Sequence, residues 1–138
     1  MKVLVIEPHS DGLLDLALRA QQHGHQVRYF CGDRAATSPR PVGRGLVECV
    51  SDWRASKNWA DLVLVGSNGA NMIEFDRWAA DGVPVIGKGA KAVEWELDRL
   101  AGMEAFKRAG IPVPPFRQCG SLDEAIGLPP AEGAPVGT

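Results

Sequence analysis

Short, unbroken apolar runs separated by amphipathic stretches constrain this chain more than any other feature. Val3, Leu4, Val5 and Ile6 form the first run, and Leu62, Val63, Leu64 and Val65 form the clearest one. Strands buried on both faces have this pattern when helices cover a parallel sheet; strands with one wet face alternate instead. The intervening segments carry apolar residues at helical spacing. Together these point to an α/β protein: a Rossmann-like open parallel sheet with helices on both faces, its loops gathered at the carboxyl ends of the strands, where ligands bind. A chain of 138 residues, 45% apolar, can bury a real core as one globular unit.

Leu13, Leu14, Ala17 and Leu18 predict a first helix that ends at Gly24, a residue type suited to the left-handed position after a helix. Residues 26 to 31 read as the second strand, and residues 32 to 45 as a Gly, Pro and Arg-rich surface loop carrying Arg34, Arg40 and Arg44. Residues 46 to 50 suggest a short third strand. After residues 61 to 66 comes a polar turn, Ser67-Asn68-Gly69-Ala70-Asn71, and then a helix with Met72, Phe75, Trp78 and Ala79. Residues 82 to 87 supply another strand, in which Pro84 marks a sheet edge or a strand start. One long helix is expected next, with Val93, Leu97, Leu100, Met103 and Phe106 on a single stripe and Gly110 and Pro112 ending it. Ser121 with Glu124 is a capping-box pattern, broken by Gly127-Leu128-Pro129-Pro130; the aperiodic tail from 131 to 138 is expected to be disordered.

A formal charge of −2 gives no electrostatic reason for a nucleic-acid or membrane partner. Three cysteines, Cys31, Cys49 and Cys119, are odd in number and widely spaced, which argues against a disulfide framework or a metal knuckle and for structural thiols in a reducing compartment. Glu7 and Pro8 interrupt the first apolar run too early for a secretory signal, and no later run approaches a membrane span. A soluble, cytoplasmic protein is the expectation. Four tryptophans, Trp53, Trp59, Trp78 and Trp95, leave aromatic surface that another domain or a second copy of the chain would cover.

The turn Pro8-His9-Ser10-Asp11-Gly12 admits two descriptions. In the first, Ser10 or Asp11 caps the first helix, whose free N–H groups can also receive an anion. In the second, the turn resembles the His-Pro-Asp-Asp-Glu motif of LmbE-like zinc deacetylases. His9 and Asp11 match that motif, but Gly12 and Leu13 replace its last two acids, and His23 and His25 lie at the far end of the first helix. A catalytic zinc needs three protein ligands, so the resemblance implies at most a degenerate deacetylase, and no metal ligands are assigned. The turn is not GxGxxG.

A longer likeness lies downstream. "ADLVLVGSNGANMIEFDRWAADGVPVIGKGAKAVEWELDRLAGMEAFKRAGIPVPPF", residues 60 to 116, resembles the junction between the pre-ATP-grasp and ATP-grasp domains of phosphoribosylamine-glycine ligase and related carboxylate-amine ligases. In order come a strand ending at Gly66, a polar turn, a helix, Gly-Val-Pro-Val-Ile-Gly, a second helix and Lys107-Arg108-Ala109-Gly110-Ile111-Pro112. The resemblance implies a pre-ATP-grasp domain over residues 1–116 and the start of a truncated ATP-grasp segment over 117–138. It places Ser67, Asn68, Gly69 and Asn71 in the turn facing the substrate. His9, Ser10 and Asp11 stand where the family has a glycine-rich substrate turn, and Arg99 stands where the family has a lysine on ATP phosphate. It implies a small phosphorylated or amine substrate, with ATP and magnesium belonging to the full-length family and neither bound tightly here. No catalytic residue is assigned, because acyl-phosphate chemistry needs cations and a magnesium site that residues 120 to 138 do not supply. A homodimer or a separate ATP-grasp domain are the partners it leaves open. The alternative is a non-catalytic interaction module.

Overall fold

The computed structural model describes residues 1–8, 12–32, 42–66, 69, 71–87 and 89–127. Five strands, β1 (Lys2–Glu7), β2 (Gln26–Cys31), β3 (Glu48–Cys49), β4 (Leu62–Val65) and β5 (Val85–Ile86), form one sheet in the order β3-β2-β1-β4-β5. Every pairing between them is parallel. The helices are α1 (Leu14–Gln22), α2 (Met72–Ala80), α3 (Ala90–Leu97), α4 (Arg99–Arg108) and α5 (Leu122–Gly127), with a 3-10 turn at Arg54–Ser56. The tail from 131 to 138, expected to be disordered, lies outside the described residues.

The centre of the sheet is β1, and its unbroken apolar run follows from that position. Val3 pairs with both Val27 and Leu62, so neither edge of the strand meets water. Side chains alternate between the faces, and both faces are covered. Val3 and Val5 pack with Ala17 of α1, Val27, Tyr29 and Val47. Leu4 and Ile6 pack on the other side with Val63, Val65, Trp53 and Met72, Phe75 and Trp78 of α2. Burying each Val, Leu or Ile in this way stabilises the fold by about 1.5–3 kcal/mol. Trp53, Phe75 and Trp78 form an aromatic triad with ring centroids 4.9, 5.2 and 5.8 Å apart. Two of the four tryptophans are thus core residues rather than surface awaiting a partner.

Helix α1 ends as its sequence predicts, with Gly24 at φ +82°. Its start differs: the N-cap position is Leu13, which has no acceptor on its side chain, and the helix opens at Leu14. Pro84 does sit at an edge, beside the two-residue strand β5, and its carbonyl accepts from the Val63 N–H at 2.9 Å.

The expected single long helix is two. Asp98 leaves helical geometry at φ −96°, ψ 103°, and its Oδ1 accepts from the Ala101 N–H at 3.0 Å, capping α4. Gly102 permits the close approach at the break: a Cβ there would overlap the Trp95 carbonyl oxygen, so only glycine lets α4 come so near the end of α3. The apolar stripe therefore splits. Val93 is buried, whereas Leu97 is 67% and Phe106 51% exposed. The chain divides into two compact units, Met1–Val93 and Glu94–Thr138, and the whole sheet belongs to the first.

Candidate functional site

A parallel sheet grown in two directions from one central strand leaves a crevice where the direction reverses, because the connections on either side lead away from it. Here that point lies between β1 and β4: the chain passes from β1 through α1 to β2 on one side, and β4 pairs on the other. The carboxyl ends of these two strands are Glu7 and Val65, followed by Pro8 and Gly66.

Glu7 is the unexpected residue at this point. It closes an apolar strand, yet only 3% of it is exposed. Alternation puts it on the α1 face with Val3 and Val5. Gly66 lies across from it: a Cβ on Gly66 would overlap Glu7 Oε2 and come within 2.7 Å of the Leu13 side chain. The glycine is therefore required by the carboxylate and leucine that fill its side-chain space. On the other flank Gly32 follows β2, donating its N–H to the Glu7 carbonyl at 3.1 Å, and a Cβ there would overlap the Pro8 carbonyl oxygen. The tip of β1 is thus walled by two glycines.

Sequence reasoning passed over Glu7 as the end of a strand. The available signal was a charged residue inside the last position of an otherwise unbroken apolar run. Of the residues the sequence did single out, His9, Ser10, Asp11, Ser67 and Asn68 lie outside the described residues, as do Arg34 and Arg40. Gly69 is half-buried. Asn71 opens α2 in the left-handed conformation, φ +76°, and its Oδ1 accepts from Arg54 at 3.1 Å. Arg54 in turn forks onto Glu74 at 2.8–3.1 Å and stacks 4.1 Å over Trp53. That network fixes the start of α2 against the 3-10 turn and commits the Asn71 amide oxygen to structure.

Arg99 lies in the other compact unit. It lines an open depression of about 380 Å³ with Trp95, Glu96, Gly102, Met103 and Phe106. The Asp98 carboxylate already occupies the α4 N-terminus beside it, and Glu96 shares the depression. His23 closes α1 and His25 precedes β2, so both lie at the amino ends of the strands, opposite Glu7. No group of three metal-ligating side chains occurs among the described residues. Partial burial pushes the Cys49 thiol up, with Arg44 opposing, so it stays protonated at neutral pH. No helix among the described residues is long and apolar enough to cross a membrane.

Neither a protein-family model nor a curated protein matches the sequence. Solved structures do share the fold. N5-carboxyaminoimidazole ribonucleotide synthetase from Thermotoga maritima superposes with a TM-score of 0.66 at 17% identity, over 91% of this chain and 35% of its own. The enzyme of the same name from Thermus thermophilus gives 0.62 at 22% identity, over 90% and 34%. Glycinamide-RNase-transformylase T from Mycobacterium tuberculosis gives 0.61 at 18%, over 83% and 37%. This chain spans about a third of the length of each.

Proposed function

We propose that this chain is the ligand-binding amino-terminal part of an ATP-grasp carboxylate-amine ligase of the phosphoribosylamine-glycine ligase type. In this reading a small phosphorylated or amine substrate is gathered at the tips of β1 and β4. The observation that carries it is the glycine-walled switch point, where Glu7 and Gly66 meet at the carboxyl edge of an all-parallel sheet. The fold shared with the ribonucleotide synthetases and the transformylase supports it, as does the ordered resemblance over residues 60 to 116. ATP and magnesium belong, on this reading, to the ATP-grasp domain of the full-length family. On this reading the chain binds without ligating, because phosphoryl transfer needs several converging cations and the resemblance supplies Arg99 alone.

A second reading, a non-catalytic interaction module, draws on the second compact unit, where Trp95, Leu97, Phe106, Leu122 and Ile126 are all exposed. Backbone amide shifts separate the two. Titrating the labelled chain with ribose 5-phosphate and with glycine is expected to move the amides of Glu7, Gly66 and Asn71. Shifts confined to residues 94–127, or none with either compound, would remove the strand-tip site and leave the module.

A further inference from the structure

We infer that Arg54 is a positioning residue for the strand-tip site: it turns the Asn71 amide so that Nδ2 donates outward, to an acceptor oxygen of the bound ligand. This deepens the function proposed above and rests on its placing of the site at the tips of β1 and β4.

The backbone gives the first observation. Asn71 is the non-glycine residue with a positive φ among the described residues, at +76°, and it stands between the end of β4 and the first turn of α2. Glycine takes that conformation at no steric cost, whereas a side chain there carries a penalty that is offset by what the side chain does. The Asn71 amide does not cap its own helix. Its Oδ1 instead accepts from Arg54 Nη2 at 3.1 Å. Arg54 is itself fixed: Nε and Nη2 fork onto Glu74 at 2.8–3.1 Å, and the guanidinium lies 4.1 Å over Trp53, a buried member of the aromatic triad.

The chemistry of the guanidinium then settles the amide. Arginine has donors only, so the amide must offer it oxygen, and the two ends of the Asn71 side chain are told apart. Nδ2, on the same carbon as Oδ1, points away from the guanidinium, and the residue is exposed. An asparagine free to flip offers a ligand either a donor or an acceptor; one held by its oxygen offers donors. The group it reads is therefore an acceptor, an oxygen of a phosphate or of a carboxylate. The neighbouring acid does not oppose such a group, because the Arg54 fork offsets the charge of Glu74. An ammonium, which only donates, has nothing to gain from this amide.

Holding and reading are separated by following the Asn71 Nδ2 protons, with the Glu7 and Gly66 amides, in the labelled intact chain. The probes are ribose 5-phosphate, glycine and methylammonium, which has donors and no acceptor. Ribose 5-phosphate or glycine is expected to shift the Nδ2 protons, the responding probe showing whether phosphate or carboxylate supplies the oxygen, and methylammonium is expected to leave them still. Asn71→Asp suits the same backbone conformation and gives Arg54 a full charge to hold, so thermal stability should be kept. Binding of the responding probe should nevertheless fall about tenfold or more, because an acceptor replaces the donor. Arg54→Gln, which can turn either end of its own amide to Asn71, should weaken binding several-fold, and Arg54→Lys, again donor-only, should recover part of the loss. A folded Asn71→Asp or Arg54→Gln chain that binds as tightly as the parent overturns the inference. So does an Nδ2 response to methylammonium equal to that of the oxygen-bearing probes in the unmodified chain, whether or not the variants fold. If the probes move the Glu7 and Gly66 amides but not the Nδ2 protons, the inference fails while the strand-tip site stands. If no probe moves any of them, both fail.

Discussion

The two compact units hold their apolar residues in opposite ways. In Met1–Val93, the aromatic residues Trp53, Phe75 and Trp78 are 3–5% exposed and lock one face of the sheet to α2. In Glu94–Thr138, Trp95 is 44% exposed, Leu122 76% and Ile126 74%, and among the described residues none of its large apolar side chains joins a buried cluster. What holds that second unit is local. Asp98 caps α4, Ser121 caps α5, Lys107 pairs with Glu104 at 2.9 Å and lies 4.5 Å from the Phe116 ring centre. Burial of area makes a cooperative body; caps and single ion pairs shape a helix but contribute about 1 kcal/mol or less apiece. The first unit should therefore unfold as a block and the second by fraying.

The sharpest way to break that contrast is a matched pair of tryptophan truncations. Trp78→Ala is expected to cost about 3–5 kcal/mol, as large aromatic deletions in packed cores do, while Trp95→Ala costs under about 1 kcal/mol. Denaturant unfolding followed by far-ultraviolet circular dichroism measures both, and equal losses would erase the distinction. Next in size is Gly66→Ala, expected to cost about 1–3 kcal/mol because the new methyl must displace Glu7 and Leu13. Adding Glu7→Ala should recover part of that loss, so a double-mutant cycle showing strict additivity would separate the two residues.

Asp98→Ala sharpens the contrast from the other side. Loss of the cap should cost about 1 kcal/mol and speed hydrogen exchange at Ala101 and Gly102 while leaving the amides of β1 and β4 as slow as before. The smallest effect concerns pH. The Cys49 thiol is held above its ordinary value in the folded chain, so the unfolded chain releases that proton first. Its contribution is whole at neutral pH and fades as the pH climbs through the ordinary thiol range to the folded value. Alkylation of Cys49 should accordingly lag behind a free thiol of equal exposure, and a rate matching the free thiol at neutral pH would show that burial does not govern it.

Much of the first unit was legible because its signals are local. The runs that became β1, β2 and β4 match the structure to within a residue, Gly24 ends α1, and Pro84 marks an edge. The capping box at Ser121 also forms, with its Oγ accepting from the Glu124 N–H at 3.1 Å, although Glu124 answers to the Gly120 N–H at 2.7 Å, one residue earlier than the usual pattern. The break at Asp98 escaped because the apolar stripe keeps helical spacing straight across it, and periodicity reports spacing without continuity. Asp76 escaped for another reason: its Oδ2 accepts from the Ala90 N–H at 3.0 Å, so α3 is capped from a different helix. No local pattern encodes such a cap. The turn at residues 67 to 71 was expected to face a substrate on the strength of the resemblance, and the structure shows Asn71 held by Arg54, a partner brought in by the packing of a strap that no turn rule includes.

The sequence alone determined that this protein is a parallel sheet sheathed by helices, because unbroken apolar runs and helical stripes each report burial from one short window. Only the tertiary structure decided that Glu7 and Gly66 meet at the strand tips. Their meeting depends on β4 pairing with β1 in one register, Ile6 opposite Val65, and on which face each strand then turns to α1. Register is a property of two strands at once, so this meeting became visible only when the second strand was in place.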